Sequence, residues 1–297
     1  MQKTSIQYAD YVTNPLRARD PHSGLVGSAC KKFNNGCTHC WAENINRRFG
    51  THLDYTVDNA AKVEFFLDLD ELQHLRTFKP HGPFKFGDRP AVFPCDMTDW
   101  LLPEYGDDAG RVLWACAERL DMIFLFLTKR YDQLPRILQG NFCMPSGNIF
   151  IGLTLPGPDV PDMAIKNLFA LADSGWPVWV SHEPALAPLD LTYLSFISLL
   201  VSGGESGSGA RPSQPDWHRQ DRDWARKNNI PYFFKQWGAY HPTTWIINGS
   251  QKHEMIKVHK KSITDNILDG MTWQQMPDFG SPAGKSALGI LPVFSEV

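Results

Sequence analysis

An α/β fold, a full or partial (β/α) barrel with a C-terminal tail packed on it, is predicted for this chain by three observations. Short runs of β-branched and aromatic residues recur along the first 240 of its 297 residues. Most are followed by a polar or glycine-rich patch and then by a helix-like segment. The runs are also almost continuously apolar, as strands covered on both faces are, rather than alternating as in a one-sided antiparallel sheet.

The strand candidates, in order, are "AVFPC" (91–95), "MIFLFL" (122–127), "NIFIGL" (148–153), "PVWVSH" (177–182), "SLLVSGG" (198–204) and "PYFFKQ" (231–236). Helices are predicted over 107–120, 161–173 and 215–228. Each begins with acidic residues, and two have proline in the first turn, which suits the positive end of a helix dipole. In a β/α barrel the chemistry sits at the C-terminal ends of the strands. Here those ends carry Asp96 and Asp99, Lys129 and Arg130, Thr154, Glu183, Gly203, Gly204 and Glu205, and Lys235, Gln236 and Trp237. From about His241 the rhythm stops, so the expected division is a barrel over 1–240 and an extension over 241–297 with a basic patch, "KVHKK" (257–261).

Composition narrows the function classes. The longest apolar run, Met122 to Leu127, is far shorter than the roughly 18 residues of a membrane span, and "MQKTSIQYAD" lacks a signal pattern, so a soluble cytoplasmic protein with no membrane partner is expected. A formal charge of −3 argues against a general duplex binder, leaving room only for a local nucleic-acid contact. Without a secretion signal, the six cysteines read as thiols or metal ligands rather than disulfides.

Three of them, Cys30, Cys37 and Cys40, lie within "SACKKFNNGCTHCWAEN" (28–44), just ahead of a helix predicted to begin near Trp41. Soft thiolates at this spacing suit a tetrahedral metal or an iron–sulfur cluster. Three protein ligands are one short of a closed zinc site, which would recruit His22, His39 or His52. A cluster with an open iron needs no fourth.

These residues carry a resemblance. A three-cysteine loop ahead of the first helix of a β/α barrel resembles the radical S-adenosylmethionine (SAM) superfamily, although the spacing of six residues then two departs from the commonest three then two. The chain is more similar to a phage-encoded three-cysteine-motif family, radical-SAM-like, through "SACKKFNNGCTHCWAE" (28–43), "LTKR" (127–130), "SHEP" (181–184), "GGESGSGARP" (203–212) and "FFKQWG" (233–238). The resemblance spans nearly the whole chain.

It implies that Cys30, Cys37 and Cys40 hold a 4Fe-4S cluster whose fourth iron binds SAM, and that reductive cleavage of SAM yields a 5'-deoxyadenosyl radical. His39 then stands near the adenine, with a solvent-facing role as the alternative. Asp96 or Asp99 would receive the SAM amino group, with helix capping by Asp99 as the alternative. Glu183, Gly203, Gly204, Glu205 and Ser206 complete the implied cofactor contacts; the glycines let backbone amides approach a carboxylate or phosphate.

The strand reading places Lys129, Arg130, Arg211 and Lys235 on one barrel face with Gln236 and Trp237. Such a mouth suits a nucleotide or nucleic-acid substrate, unless Glu183 and Glu205 neutralise it internally. The resulting expectation is a radical-SAM-type enzyme modifying or repairing a nucleic-acid base or nucleotide, served by an electron donor and a partner protein. The alternative is a non-catalytic binding module, for nucleic acid or protein, with structural zinc.

Overall fold

The computed structural model describes residues 1–139, 142, 144–157, 159–247, 250–258 and 265–279. Two compact units divide the chain, one including Met1–Leu153 and Pro161–Val178, the other Thr154–Val160 and Trp179–Asp278.

In the first unit β1 (Gln2–Lys3) pairs antiparallel with β2 (Tyr11–Thr13). A small antiparallel sheet is made by β3 (Leu16–Arg19), β4 (Val26–Gly27) and β5 (Glu64–Leu67), with α1 (Trp41–Phe49) and the single turn α2 (Val57–Ala60) between the last two. After α3 (Leu69–Thr77) the parallel series begins. There β6 (Ala91–Pro94) runs beside β2, β7 (Ile123–Thr128) beside β6, and β8 (Ile149–Thr154) beside β7. The crossovers use α4 (Asp108–Ala117), the four-residue α5 (Pro135–Leu138) and α6 (Asp162–Asp173). Val112, Leu113 and Cys116 of α4 and Ile123 to Phe126 of β7 are fully buried, so the apolar runs are continuous because both faces of these strands are covered.

The second unit holds three parallel strands, β9 (Val178–His182), β10 (Leu200–Gly203) and β11 (Tyr232–Gln236), with α7 (Pro215–Lys227) crossing between the last two. A bulge between Ser202 and Gly203 shifts the β10–β11 register at the strand end. The hairpin β12 (Tyr240–Ile247) and β13 (Ser250–Lys257) follows, then the short pair β14 (Ile267–Leu268) and β15 (Met271–Thr272). Among the described residues, β1, β2, β6, β7 and β8 are hydrogen-bonded in that order in the first unit, and β9, β10 and β11 in the second, a partial β/α barrel in class.

All six strand candidates and all three predicted helices correspond to elements here. Two crossovers differ from the expected rhythm. Among the described residues, the β7–β8 link holds only a 3-10 turn and α5, and the β9–β10 link holds no helix. The segment after 240, read as a tail, opens with a regular hairpin, in keeping with the β-branched run "TTWII" at 243–247. Cys143 and the last three residues of "KVHKK", 259–261, lie outside the described residues. No helix among the described residues is long and apolar enough to cross a membrane.

Candidate metal and cofactor site

The cysteine loop is built in short, fully bonded steps. Asn34 caps the 3-10 turn Asn35–Cys37, its side-chain oxygen accepting from the Gly36 N–H at 3.0 Å. That turn brings the Cys37 sulfur to the Phe33 N–H, which donates to it at 3.5 Å. Cys40 is the N-cap of α1, in extended conformation and without a side-chain capping hydrogen bond, at the helix end where first-turn amides lack an intrahelical partner. The Cys30 thiol donates to the Lys31 carbonyl at 3.8 Å.

Helix α1 is fastened from its inner side by polar groups. The Glu43 carboxylate is buried, accepts from the Tyr55 N–H at 2.9 Å and pairs with Lys32 at 3.1 Å. Asn46 saturates its amide, accepting from Ser28 and Thr51 N–H groups and donating to Thr51 Oγ1 and the Leu53 carbonyl. Gly50 ends the helix where a Cβ would collide with the Asn46 side chain.

Burial pushes the Cys30 thiol up to about 12, with the Asp99 charge adding to it, and burial also raises Cys40. Burial works against the charge of the Lys129 ammonium, but the charges of Cys37, Cys40, Asp99 and Cys30 together hold it above its ordinary value. In donor chemistry, three thiols in one loop fit a thiophilic, negatively ligated centre. The side chains as they stand are not drawn into a ligand set, since no group of three or more His, Cys, Asp or Glu among the described residues is placed to hold a metal ion. The histidines weighed as a fourth ligand are spread out: His22 is exposed, His39 half-buried, and His52 exposed with Nδ1 against the Arg47 carbonyl at 2.6 Å.

The segment after β6 joins this loop. Cys95 turns the chain with φ of 58°, and Thr98 Oγ1 donates to the Ala29 carbonyl at 2.7 Å. Asp96 is held by Asn14 Nδ2 at 2.6 Å, and burial raises its carboxyl despite that bond. Asp99 accepts from Thr128 Oγ1, the Lys129 N–H and the Leu101 N–H. Arg130 is committed to the cysteine loop: its Nη2 donates to the Lys31 carbonyl at 2.7 Å and its guanidinium lies 5.2 Å from the Phe33 ring centroid.

In the second unit the remaining candidates form paired sets. Lys235 Nζ binds Glu183 at 2.8 Å. Arg211 grips Glu205 through Nε at 2.9 Å, Nη2 at 2.6 Å and its backbone N–H at 2.8 Å. Gly204 lies so close to the Trp237 carbonyl that a Cβ would overlap it, while Gly203 has ordinary room and Ser206 is exposed. Gln236 is half-buried, its carbonyl accepting from the Gly204 N–H at 2.8 Å. The Trp237 ring is buried against His218 and Phe234, and its indole N–H donates to the Ile267 carbonyl, so no open face is offered to a base.

Beneath these pairs runs a fully buried chain that the strand-end reading passed over. Ser213 Oγ meets His218 Nε2 at 2.9 Å, His218 Nδ1 meets Ser202 Oγ at 2.6 Å, and Ser202 donates to Asp221 Oδ2 at 2.8 Å. His182 Nδ1 reaches the same carboxylate oxygen at 2.7 Å, and its Nε2 the Ala187 carbonyl at 3.0 Å. Burial drives His218 down to about 3, and the neighbouring His182 adds to the effect. The available signal was His218 and Asp221, three apart in "PDWHRQD" and hence on one face of the helix.

No curated protein matches the chain. A spore photoproduct lyase cysteine-to-serine mutant is similar in structure at 12% identity and TM-score 0.42, covering 85% of this chain and 70% of its own. A second spore photoproduct lyase mutant, with bound AdoMet and dinucleoside spore photoproduct, is similar at 11% identity and TM-score 0.40, covering 83% of this chain and 68% of its own. The family model described as "Protein of unknown function (DUF5131)" matches residues 3–277, and the chain belongs to that family.

Proposed function

We propose that this chain is a radical-SAM-type enzyme in which Cys30, Cys37 and Cys40 hold a 4Fe-4S cluster, acting on a nucleic-acid base or nucleotide. One observation carries the reading: three cysteines share one short loop that ends at the N-cap of α1, with the Phe33 N–H on the Cys37 sulfur and the Arg130 guanidinium bonded to the loop at the Lys31 carbonyl. Such a cluster with SAM supplies one-electron cleavage and hydrogen-atom abstraction. The chain's own residues supply the rest. The Phe33 amide offsets thiolate charge at Cys37, Arg130 clamps the loop, and Asp96 presents a buried carboxyl for an ammonium group.

The Glu183–Lys235 and Glu205–Arg211 pairs are locally neutral and combine acceptors with donors. That chemistry suits the edge of an unstacked base better than a phosphate backbone. Residues 1–240 would form the catalytic barrel and 241–297 an extension.

The test is anaerobic reconstitution with iron and sulfide, followed by an iron count and a visible spectrum. Broad visible absorption with about four irons per chain is expected, as for a Cys-ligated cubane. It should be lost in Cys30→Ala, Cys37→Ala and Cys40→Ala and kept in Cys116→Ala. A colourless protein with stoichiometric zinc would favour the structural-metal reading instead.

A further inference from the structure

Of the two ion pairs in the second unit, one is spent and the other keeps capacity. Glu205 is buried, and both its oxygens are taken by Arg211 through Nε, Nη2 and the backbone N–H. Glu183 meets one ammonium, with Lys235 Nζ at 2.8 Å from Oε1 and 3.0 Å from Oε2. A carboxylate has about four lone-pair sites on its two oxygens, so this one still accepts. The Glu183 and Lys235 side chains are 15% and 18% exposed, largely sheltered from water and still reachable.

The surroundings hold that carboxylate in place and lay polar groups beneath it. Glu183, one residue past β9, and Lys235 on β11 meet across β10 above Gly203, where a Cβ would stand 3.5 Å from Glu183 Cδ. The turn that follows is tied on both sides, the Ala185 N–H donating to the Gly203 carbonyl and the Leu186 N–H to the Pro156 carbonyl, each at 2.9 Å. Alternation along β9 puts Ser181 on the face of Glu183, and the Leu155 N–H, donating to the Ser181 carbonyl at 2.9 Å, sets Thr154 beside Ser181. Ser181 is 0% exposed and Thr154 2%, and neither hydroxyl has a hydrogen-bond partner among the described residues. Buried hydroxyls are bonded as a rule, so two of them under a half-spent ion pair call for a polar ligand group.

Charge chooses among the bases. A carboxylate only accepts, and its two oxygens are best served by two parallel N–H groups. Guanine alone of the nucleobases sets two such donors side by side, N1–H and N2–H, with the O6 acceptor next to them for an ammonium. Cytosine and adenine offer one amino donor beside a ring acceptor, and thymine or uracil one N–H between two carbonyls. A hydroxyl takes either role, so Ser181 and Thr154 leave the choice unchanged.

We propose that the Glu183–Lys235 pair reads the Watson–Crick edge of a guanine, Glu183 accepting from N1–H and N2–H and Lys235 donating to O6. This deepens the nucleic-acid reading above and rests on it. That edge is free only on an unpaired or flipped-out base.

The probes are labelled single-stranded thymine heptamers with guanine, hypoxanthine, adenine or cytosine at the centre, together with the all-thymine heptamer, titrated into the reconstituted full chain by fluorescence anisotropy. The guanine heptamer should bind at least about tenfold more tightly than the adenine, cytosine and all-thymine ones, the scale of one good bidentate contact. Hypoxanthine, which lacks the N2 amino group, should lie between. In Glu183→Gln the guanine preference should fall below about threefold. The guanine and hypoxanthine comparison needs no variant, so the proposal stays testable if that substitution unfolds the chain. Equal affinity for all five, or a preference for another base, overturns the guanine assignment and leaves the nucleic-acid reading standing. Binding of none of them overturns both. Weaker SAM binding in Glu183→Gln with the guanine preference intact overturns the assignment as well, and places the pair in the cofactor site.

Discussion

Asp99 joins two strand ends: its carboxylate accepts from Thr128 Oγ1 at 2.7 Å and from the Lys129 N–H at 3.0 Å. One residue thus ties the loop after β6 to the end of β7. Asp99→Ala should cost about 2–3 kcal/mol, the scale of hydrogen bonds to a charged acceptor with donors left unmet. Urea unfolding measures that loss, and iron retention should fall with it. An unchanged midpoint would show that the donors find other partners.

Arg130 acts on the cysteine loop through Lys31 and Phe33. Arg130→Ala should destabilise by about 1–2 kcal/mol through the lost hydrogen bond and ring contact. Amide exchange should quicken in peptides covering 30–40 and leave 204–213 unchanged. If single-stranded oligonucleotide affinity collapses while exchange stays the same, Arg130 belongs to the substrate instead.

His218 is neutral in the fold and pushed down to about 3 by burial, from an ordinary 6.5. Below 6.5 the unfolded chain binds a proton that the folded chain refuses, so this contribution is complete above 6.5 and is lost as pH falls towards 3. The urea midpoint should therefore drop between pH 7 and pH 4, and part of that slope should disappear in His218→Gln. An identical slope would place the acid sensitivity on other groups.

Asp221 accepts from both His182 and Ser202 in complete burial. Removing one partner strands the others, so Asp221→Ala should cost about 3–5 kcal/mol. Guanidinium melts check this, and a loss below 1 kcal/mol would mean that the network relaxes or admits water.

Gly204 has the Trp237 carbonyl where a Cβ would be. Gly204→Ala should cost about 1–3 kcal/mol by overpacking and displace the Glu205 loop. SAM affinity, followed by calorimetry, should fall while iron content is kept. Unaltered SAM binding would remove this loop from the cofactor site.

Much of this arrangement was legible in the sequence because its signals are local. Near-continuous apolar runs mark β6 to β11, and acidic first turns mark α4, α6 and α7, since strand burial and helix dipoles act within a few residues. The cysteine loop and the start of α1 near Trp41 were legible for the same reason. The helix-poor β7–β8 and β9–β10 links were not, because a crossover needs length rather than a helix.

Side-chain pairing could not be read this way. Lys235 and Glu183 are 52 residues apart, and Arg130 lies 99 residues from the carbonyl it grips. A cation at a strand end looks free until the fold brings its carboxylate or its loop to it. The same holds for the inversion of α1, whose Trp41, Ile45 and Phe49 stand four apart, a spacing that ordinary surface helices bury. Only the tertiary structure turns Glu43 and Asn46 inward, because Tyr55, Ser28 and Thr51 meet their hydrogen-bonding groups there and the apolar ridge is left facing out. Sequence by itself determined which segments become strands and where the thiols gather along the chain; tertiary structure decided which charges are cancelled and which apolar face is exposed, since both depend on partners that are distant in the chain.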